Sequence, residues 1–139
     1  MDARSLITIR SFPLPAWAWR LAALGWAAAM AWACLQEASG AAPGWWRLPH
    51  IDKLAHAGMH GLLAWLLWRG ARRASLGGAM GVVLLCAAFG LAIEWGQAQF
   101  TLTRSAEALD ALANTLGAML GVTLGATLGL RPAGLVSQP

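Results

Sequence analysis

Charged side chains are scarce in this sequence. Asp, Glu, Lys and Arg make up only 12% of its 139 residues, whereas hydrophobic residues make up 58%. A soluble domain carries roughly 25% charged residues. This shortage of charged residues excludes a protein whose surface faces water on all sides. The length of the chain fits a single domain.

A continuous basic segment is also missing. The net charge of +4 would suit a nucleic-acid partner, but the basic residues are scattered between apolar runs and form no stripe or arm. We therefore expect no binding of nucleic acid.

Neither cysteine nor serine is placed as a catalytic nucleophile is. The two cysteines, Cys34 and Cys86, lie within apolar runs and fit the role of small packing residues. No serine lies near a histidine within such a run, which argues against a serine nucleophile.

Tyrosine is absent, but there are nine tryptophans. Tryptophan favours membrane–water boundaries, where its ring is buried and its N–H stays hydrated. Seven of the nine lie beside the ends of apolar runs: Trp17, Trp19, Trp45, Trp46, Trp65, Trp68 and Trp95.

Four apolar runs predict four transmembrane helices. A spanning helix needs about 20 residues, and three runs meet that length. Lys53 and Arg69 extend the shorter second run by snorkelling from its two ends. We predict an all-α, polytopic four-helix bundle formed by one domain over residues 1–139. The predicted helices cover residues 16–35, 54–68, 74–93 and 111–130.

The basic residues predict the orientation, because they are enriched in cytoplasmic segments. Four spans place both termini and the middle loop on one side. That side holds seven basic residues: Arg4, Arg10, Arg20, Arg69, Arg72, Arg73 and Arg131. The other side holds three: Arg47, Lys53 and Arg104. We therefore predict an N-in, C-in topology.

Most polar residues capable of chemistry lie near the predicted outer ends of the last three helices. They are Asp52, Lys53, His56, Glu94, Gln97, Arg104, Glu107, Asp110 and Asn114. Ionisable residues at membrane depth are costly and usually face the bundle interior or a wet cavity. We expect six of them to converge on one pocket that opens to the outer surface: His56, Glu94, Gln97, Arg104, Asp110 and Asn114.

Helical spacing orients several of these residues. Asp52, His56 and His60 are four residues apart and share one helix face. Asp110 and Asn114 share a face in the same way. The predicted loop over residues 95–108 lies next to them.

Glycine recurs every four residues along the fourth predicted helix, at Gly117, Gly121, Gly125 and Gly129. Such a small-residue stripe lets another helix approach closely. We expect Gly121 and Gly125 to contact another helix.

Three short motifs resemble those of the VanZ-like family. They are Asp52-Lys53-x-x-His56, Glu94-x-x-Gln97 and Arg104-x5-Asp110-x3-Asn114-x-x-Gly117. The resemblance covers roughly residues 50–121. It implies a multi-pass protein of the bacterial inner membrane, and the named member of that family is linked to teicoplanin resistance. No settled activity follows from the resemblance, and His60 stands where relatives often carry an aromatic residue.

A binding function is the first hypothesis. The ligand would be an outer-leaflet lipid, a lipid-linked cell-wall precursor or a lipophilic glycopeptide antibiotic. The predicted ligand-binding residues are Asp52, Lys53, His56, Glu94, Gln97, Arg104, Asp110 and Asn114.

A membrane-embedded hydrolase or transferase acting on a lipid headgroup is the alternative. Its acid–base candidates are His56, Glu94 and Asp110. His56, His60 and Glu94 could hold a divalent metal, with Asp110 as the alternative acid, because the two histidines are four residues apart. No other cofactor is expected.

Two further interpretations stay open. Glu94, Arg104 and Asp110 could form an ion-pair network that only locks the helices together. A small dimeric exporter is less favoured, because its essential acid should lie near the membrane midplane. The sequence leaves the oligomeric state open.

Overall fold

The computed structural model describes residues 14–37, 44, 48–71, 75–103 and 107–127. These residues form four helices and no strand, which confirms the all-α prediction. The helices are α1 (Ala16–Cys34), α2 (Ile51–Gly70), α3 (Leu76–Phe100) and α4 (Ala108–Thr127).

Two helix ends differ from the predicted ones in a way that matters for the site. α3 continues to Phe100 instead of ending at residue 93, so Glu94 and Gln97 lie within the helix. The predicted loop over 95–108 is therefore wrong for residues 95–100. Polar residues suggested a loop there, but Gln97 is buried and the backbone N–H of Thr101 still donates to its carbonyl oxygen.

α2 also begins earlier than predicted, at Ile51, which places Asp52 and Lys53 in its first turn. His50 precedes the helix with a left-handed backbone, at φ 61°. A carboxylate in the first turn interacts favourably with the helix dipole. At the start of α3, the Ser75 hydroxyl accepts a hydrogen bond of 3.1 Å from the Gly78 N–H.

α2 is the central helix and packs against the other three. The Arg20 Nε donates to the Gly70 carbonyl oxygen at 2.9 Å, and the Trp26 Nε1 donates to the Met59 carbonyl oxygen at 3.0 Å. The first bond joins the start of α1 to the end of α2, and the second joins the middle of α1 to the middle of α2. The two helices therefore run antiparallel.

α2 and α4 run parallel and approach each other at glycine. A Cβ atom at Gly117 would overlap the carbonyl oxygen of Ala57, and one at Gly121 would overlap that of Gly61. Only a residue without a side chain permits the two helix backbones to come this close. At such a distance Cα–H groups face carbonyl oxygens.

The glycine stripe continues along the same interface. Gly125 lies against the indole ring of Trp68, so both Gly121 and Gly125 contact α2, as predicted. Gly129 lies outside the described residues.

The bundle carries apolar side chains on its outside and polar ones inside. Large residues such as Leu84, Leu91 and Leu116 are more than half exposed. The buried polar residues are His56, His60, Glu94, Gln97, Asp110 and Asn114. This distribution suits a bundle surrounded by lipid.

Two helices, α3 and α4, are long and apolar enough to cross a membrane. Neither α1 nor α2 meets that criterion among the described residues. α1 contains Arg20, and α2 contains Asp52, Lys53 and Arg69, which lower the apolar character of these helices.

Candidate functional site

The polar residues meet where α2 and α4 begin and α3 ends. The Lys53 ammonium lies between three carboxylates. Its Nζ is 2.6 Å from Asp52 Oδ2, 2.5 Å from Glu107 Oε2 and 2.8 Å from Asp110 Oδ1. Lys53 therefore joins the first turn of α2 to the start of α4.

These contacts keep the side chain of Lys53 protonated. Lys53 precedes the apolar run of α2. Burial alone would lower the pKa of its ammonium. Hydrogen bonds to Asp110, Asp52 and Glu107 outweigh that effect and hold the pKa above its usual range. The hydrogen bond from Lys53 in turn lowers the pKa of Asp52.

His56 lies one turn further into the bundle and is buried. Its Nδ1 is 3.1 Å from the side-chain oxygen of Asn114. An amide oxygen can only accept, so the His56 Nδ1–H is the donor. Nε2 lies 3.9 Å from Asp110 Oδ2.

Asn114 is fully buried between α2 and α3. Its side chain lies against Gly90, where a Cβ atom would come within 2.7 Å of Asn114 Nδ2. Gly90 therefore provides the space in which Asn114 orients the His56 ring.

Glu94 reaches the same cluster from α3. Its Oε2 accepts a hydrogen bond of 3.0 Å from the Glu107 backbone N–H. Its Oε1 is buried and has no hydrogen-bond partner among the described residues. One ring nitrogen of His56 and one carboxylate oxygen each from Glu94 and Asp110 lie within 4.8 Å of one another.

The structure thus brings together most of the predicted ligand-binding residues on three helices. We call this set the polar cluster: Asp52, Lys53, His56, Glu94, Glu107, Asp110 and Asn114. Asp52 and Glu107 are about half exposed, and exposure falls inward to His56 and Asn114. The polar cluster therefore begins at the bundle surface and ends in its interior.

Three predicted site residues stand apart from this arrangement. The Gln97 Nε2 donates to the Cys34 carbonyl oxygen at 3.0 Å, so Gln97 ties α3 to α1. The His60 Nδ1–H donates to the His56 carbonyl oxygen at 3.1 Å, and His60 belongs to no group of three potential metal ligands among the described residues. Arg104 lies outside the described residues.

The predicted metal set of His56, His60 and Glu94 therefore differs from the geometry. Residues four apart share a helix face, but His60 uses its Nδ1 within its own helix and contacts the Phe89 ring, with centroids 6.1 Å apart. Asp110 stands in its place beside His56 and Glu94.

Two acidic residues have roles that the sequence analysis did not assign. Glu107 binds Lys53 and also supports Glu94 through its backbone N–H. Glu37 accepts hydrogen bonds from the backbone N–H groups of Leu102 and Thr103 at 2.9 and 3.1 Å. The spacing of Glu107 from Asp110 was a usable signal, whereas nothing local linked Glu37 to the segment after α3.

The polar cluster is net acidic. Among the residues that the structure describes there, four carboxylates, on Asp52, Glu94, Glu107 and Asp110, face one ammonium, that of Lys53. Such a site suits a cationic group or a hydrogen-bond donor better than a bare anion.

The comparison with family models decides the family. The VanZ/LLP1 model matches residues 7–129. This chain belongs to the VanZ/LLP1 family. The match covers all four helices and the whole polar cluster of this VanZ-family chain, so the resemblance seen in the three motifs is confirmed. Searches of curated proteins and of solved structures found no significant match.

Proposed function

We propose that this VanZ-family chain is a multi-pass protein of the bacterial inner membrane that binds an amphiphile at its outer face. The ligand is an outer-leaflet lipid, a lipid-linked cell-wall precursor or a lipophilic glycopeptide, which gives a teicoplanin-resistance-like role. The proposal includes four spans with both termini in the cytoplasm. The observation that carries it is the buried polar cluster at one end of a bundle whose outside is apolar.

An apolar groove beside the polar cluster supports an amphiphilic ligand. The groove lies between α2 and α4 and has a volume of about 440 Å³. Its α2 wall extends from Leu54 to Trp65, and its α4 wall from Leu120 to Leu124. Leu54 follows Lys53 directly, so a headgroup at the polar cluster would leave its acyl chain at the mouth of the groove.

The test uses teicoplanin susceptibility in a susceptible bacterial host. Expression of the wild-type chain should raise the minimal inhibitory concentration, and Glu94→Gln should remove most of that increase. Glutamine keeps an oxygen that can accept from the Glu107 N–H, so we expect the variant to fold.

Glu37→Gln is the matched control, because Glu37 is a carboxylate at the same end of the bundle but outside the polar cluster. It should retain the increase at equal membrane abundance. A wild-type chain without effect on susceptibility would refute the teicoplanin-related role. Equal loss in both variants would indicate that the polar cluster has no special part in it.

Acid–base or metal-dependent hydrolysis of a lipid headgroup is the second candidate function. The close approach of His56, Glu94 and Asp110, all buried, favours it, because hydrolases use such groups as general acid and base. The purified chain, incubated with labelled membrane lipids, should then release a headgroup, and a chelator would distinguish metal-dependent from purely acid–base hydrolysis. Unchanged lipids would refute this candidate.

A further inference from the structure

A buried carboxylate oxygen without a partner marks the inner half of the polar cluster. Glu94 is only 4% exposed, and its Oε1 has no hydrogen-bond partner among the described residues. Burying a polar oxygen without a hydrogen bond is costly, and nearly all buried polar atoms in proteins are paired. The unpaired Oε1 of Glu94 is therefore positioned to contact a ligand in the interior of the polar cluster.

The second ring nitrogen of His56 faces the carboxylate of Asp110. Nδ1 lies 3.1 Å from the Asn114 side-chain oxygen, and Nε2 lies 3.9 Å from Asp110 Oδ2. Metal-bound histidines characteristically have their other ring nitrogen held in this way by an oxygen acceptor. Asn114 is thus placed as the residue that orients a metal ligand.

Two overlapping groups of potential ligands occur in the polar cluster. The outer group, formed by Asp52, Glu107 and Asp110, surrounds the Lys53 ammonium. Among the described residues, the inner group, formed by His56, Glu94 and Asp110, has no cationic side chain beyond the Lys53 ammonium that Asp110 Oδ1 contacts. Asp110 Oδ2 and Glu94 Oε1 stay available on the inner side.

We propose that the inner group binds one divalent transition-metal ion through His56 Nε2, a Glu94 oxygen and Asp110 Oδ2. One imidazole and two carboxylates suit ions such as Zn²⁺, and three protein ligands leave a position open for water or substrate. The two carboxylates balance the charge of the ion. The proposal stands independently of the amphiphile proposed above, because ion binding is measured without it.

The test measures Co²⁺ and Zn²⁺ binding to the tag-free full chain in detergent after treatment with a chelator and its removal. Co²⁺ should give one saturable visible absorption band per chain, and Zn²⁺ should displace it. His56→Ala, Glu94→Gln and Asp110→Asn should each weaken binding by about tenfold or more. Asn114→Ala should weaken it by about 10- to 100-fold, as loss of a residue that orients a ligand does.

Glu37→Gln is the matched control, because it removes a carboxylate at the same end of the bundle but outside the polar cluster. It should bind Co²⁺ like the wild type. Equal weakening in this control and in Glu94→Gln would overturn the inner site in favour of nonspecific acidic attraction.

The wild-type chain alone keeps the test decisive if a ligand variant fails to fold. Zn²⁺ should raise its thermal midpoint in a concentration-dependent manner, because an ion that binds only the folded state stabilises it. Absence of both saturable Co²⁺ binding and this Zn²⁺-dependent shift would overturn the proposal, whatever the outcome of the teicoplanin test.

Discussion

At the scale of single residues, Lys53 joins three carboxylates of the polar cluster. It contacts Asp52, Glu107 and Asp110 within 2.8 Å, and its side chain is only 17% exposed. Without its ammonium, three carboxylates would face one another at short range. Like charges held so close destabilise the fold unless one takes up a proton.

We predict that Lys53→Met lowers the free energy of unfolding by about 1–3 kcal/mol at pH 8. Carboxylates that repel one another bind protons more readily when folded, so the loss should shrink as the pH falls toward 5. Thermal unfolding in detergent at the two pH values measures this.

The wild type should not show this pH dependence between pH 5 and 8. Lys53 lowers the pKa of Asp52 in the folded state, so this contribution is present above the unfolded pKa of about 3.9 and is lost as the pH falls through the folded value. Wild-type stability from this pair should therefore hold between pH 5 and 8. Lys53→Arg, the matched control, should behave like the wild type, and an equal loss at both pH values for Lys53→Met would contradict the electrostatic explanation.

At the scale of helices, the contact between α2 and α4 determines the shape of the site. Gly117 and Gly121 bring the α4 backbone against the carbonyl groups of α2. This separation places Asp110 and Asn114 of α4 within reach of Lys53 and His56 of α2. A wider separation would break both contacts.

We predict that Gly121→Ala destabilises the chain by about 1–3 kcal/mol, because the added methyl group would overlap the Gly61 carbonyl oxygen. Thermal unfolding in detergent measures the change. Gly81→Ala on α3 is the matched control, since a Cβ atom there meets no atom within 4 Å. It should be neutral or stabilising by up to about 1 kcal/mol through helix propensity. Equal stability of Gly121→Ala and the wild type would contradict the close helix contact.

The sequence predicted the helices and the glycine contact well, because apolar run length and small-residue spacing are local patterns. It missed the last turns of α3, because the polarity of Gln97 resembled that of a loop while its side chain is buried against the carbonyl of Cys34. That bond depends on where α1 ends, which no pattern around residue 97 reveals.

The residues of the site were predictable, but their partners were not. Spacing placed His56, Asp110 and Asn114 on packed faces, and this was sufficient to expect that they lie close together. Spacing could not tell that Lys53 would bind three carboxylates, or that Glu94 and Asp110 would both lie beside His56 while His60 does not. Those pairings depend on how the three helices are rotated about their axes and shifted along them relative to one another.

At the scale of the whole molecule, the two ends of the helix bundle carry different polar residues. The polar cluster lies at the end where α2 and α4 begin. At the opposite end, Arg20 donates to the Gly70 carbonyl oxygen, and the Arg69 guanidinium lies 4.8 Å from the ring centre of Trp19. Basic residues favour the cytoplasmic side of a membrane, so the proposed orientation places the polar cluster outside.

The side of the membrane on which the polar cluster lies is the most direct test of this account, because each amphiphile proposed above requires access from the outer leaflet. Single cysteines are introduced by Glu107→Cys at the polar cluster and by Ala71→Cys just after α2, in a background without Cys34 and Cys86. A membrane-impermeant maleimide is then applied to spheroplasts before and after lysis. We predict that Glu107→Cys is labelled in intact spheroplasts and that Ala71→Cys is labelled only after lysis. Labelling of Ala71→Cys in intact spheroplasts, with Glu107→Cys protected until lysis, would contradict the account.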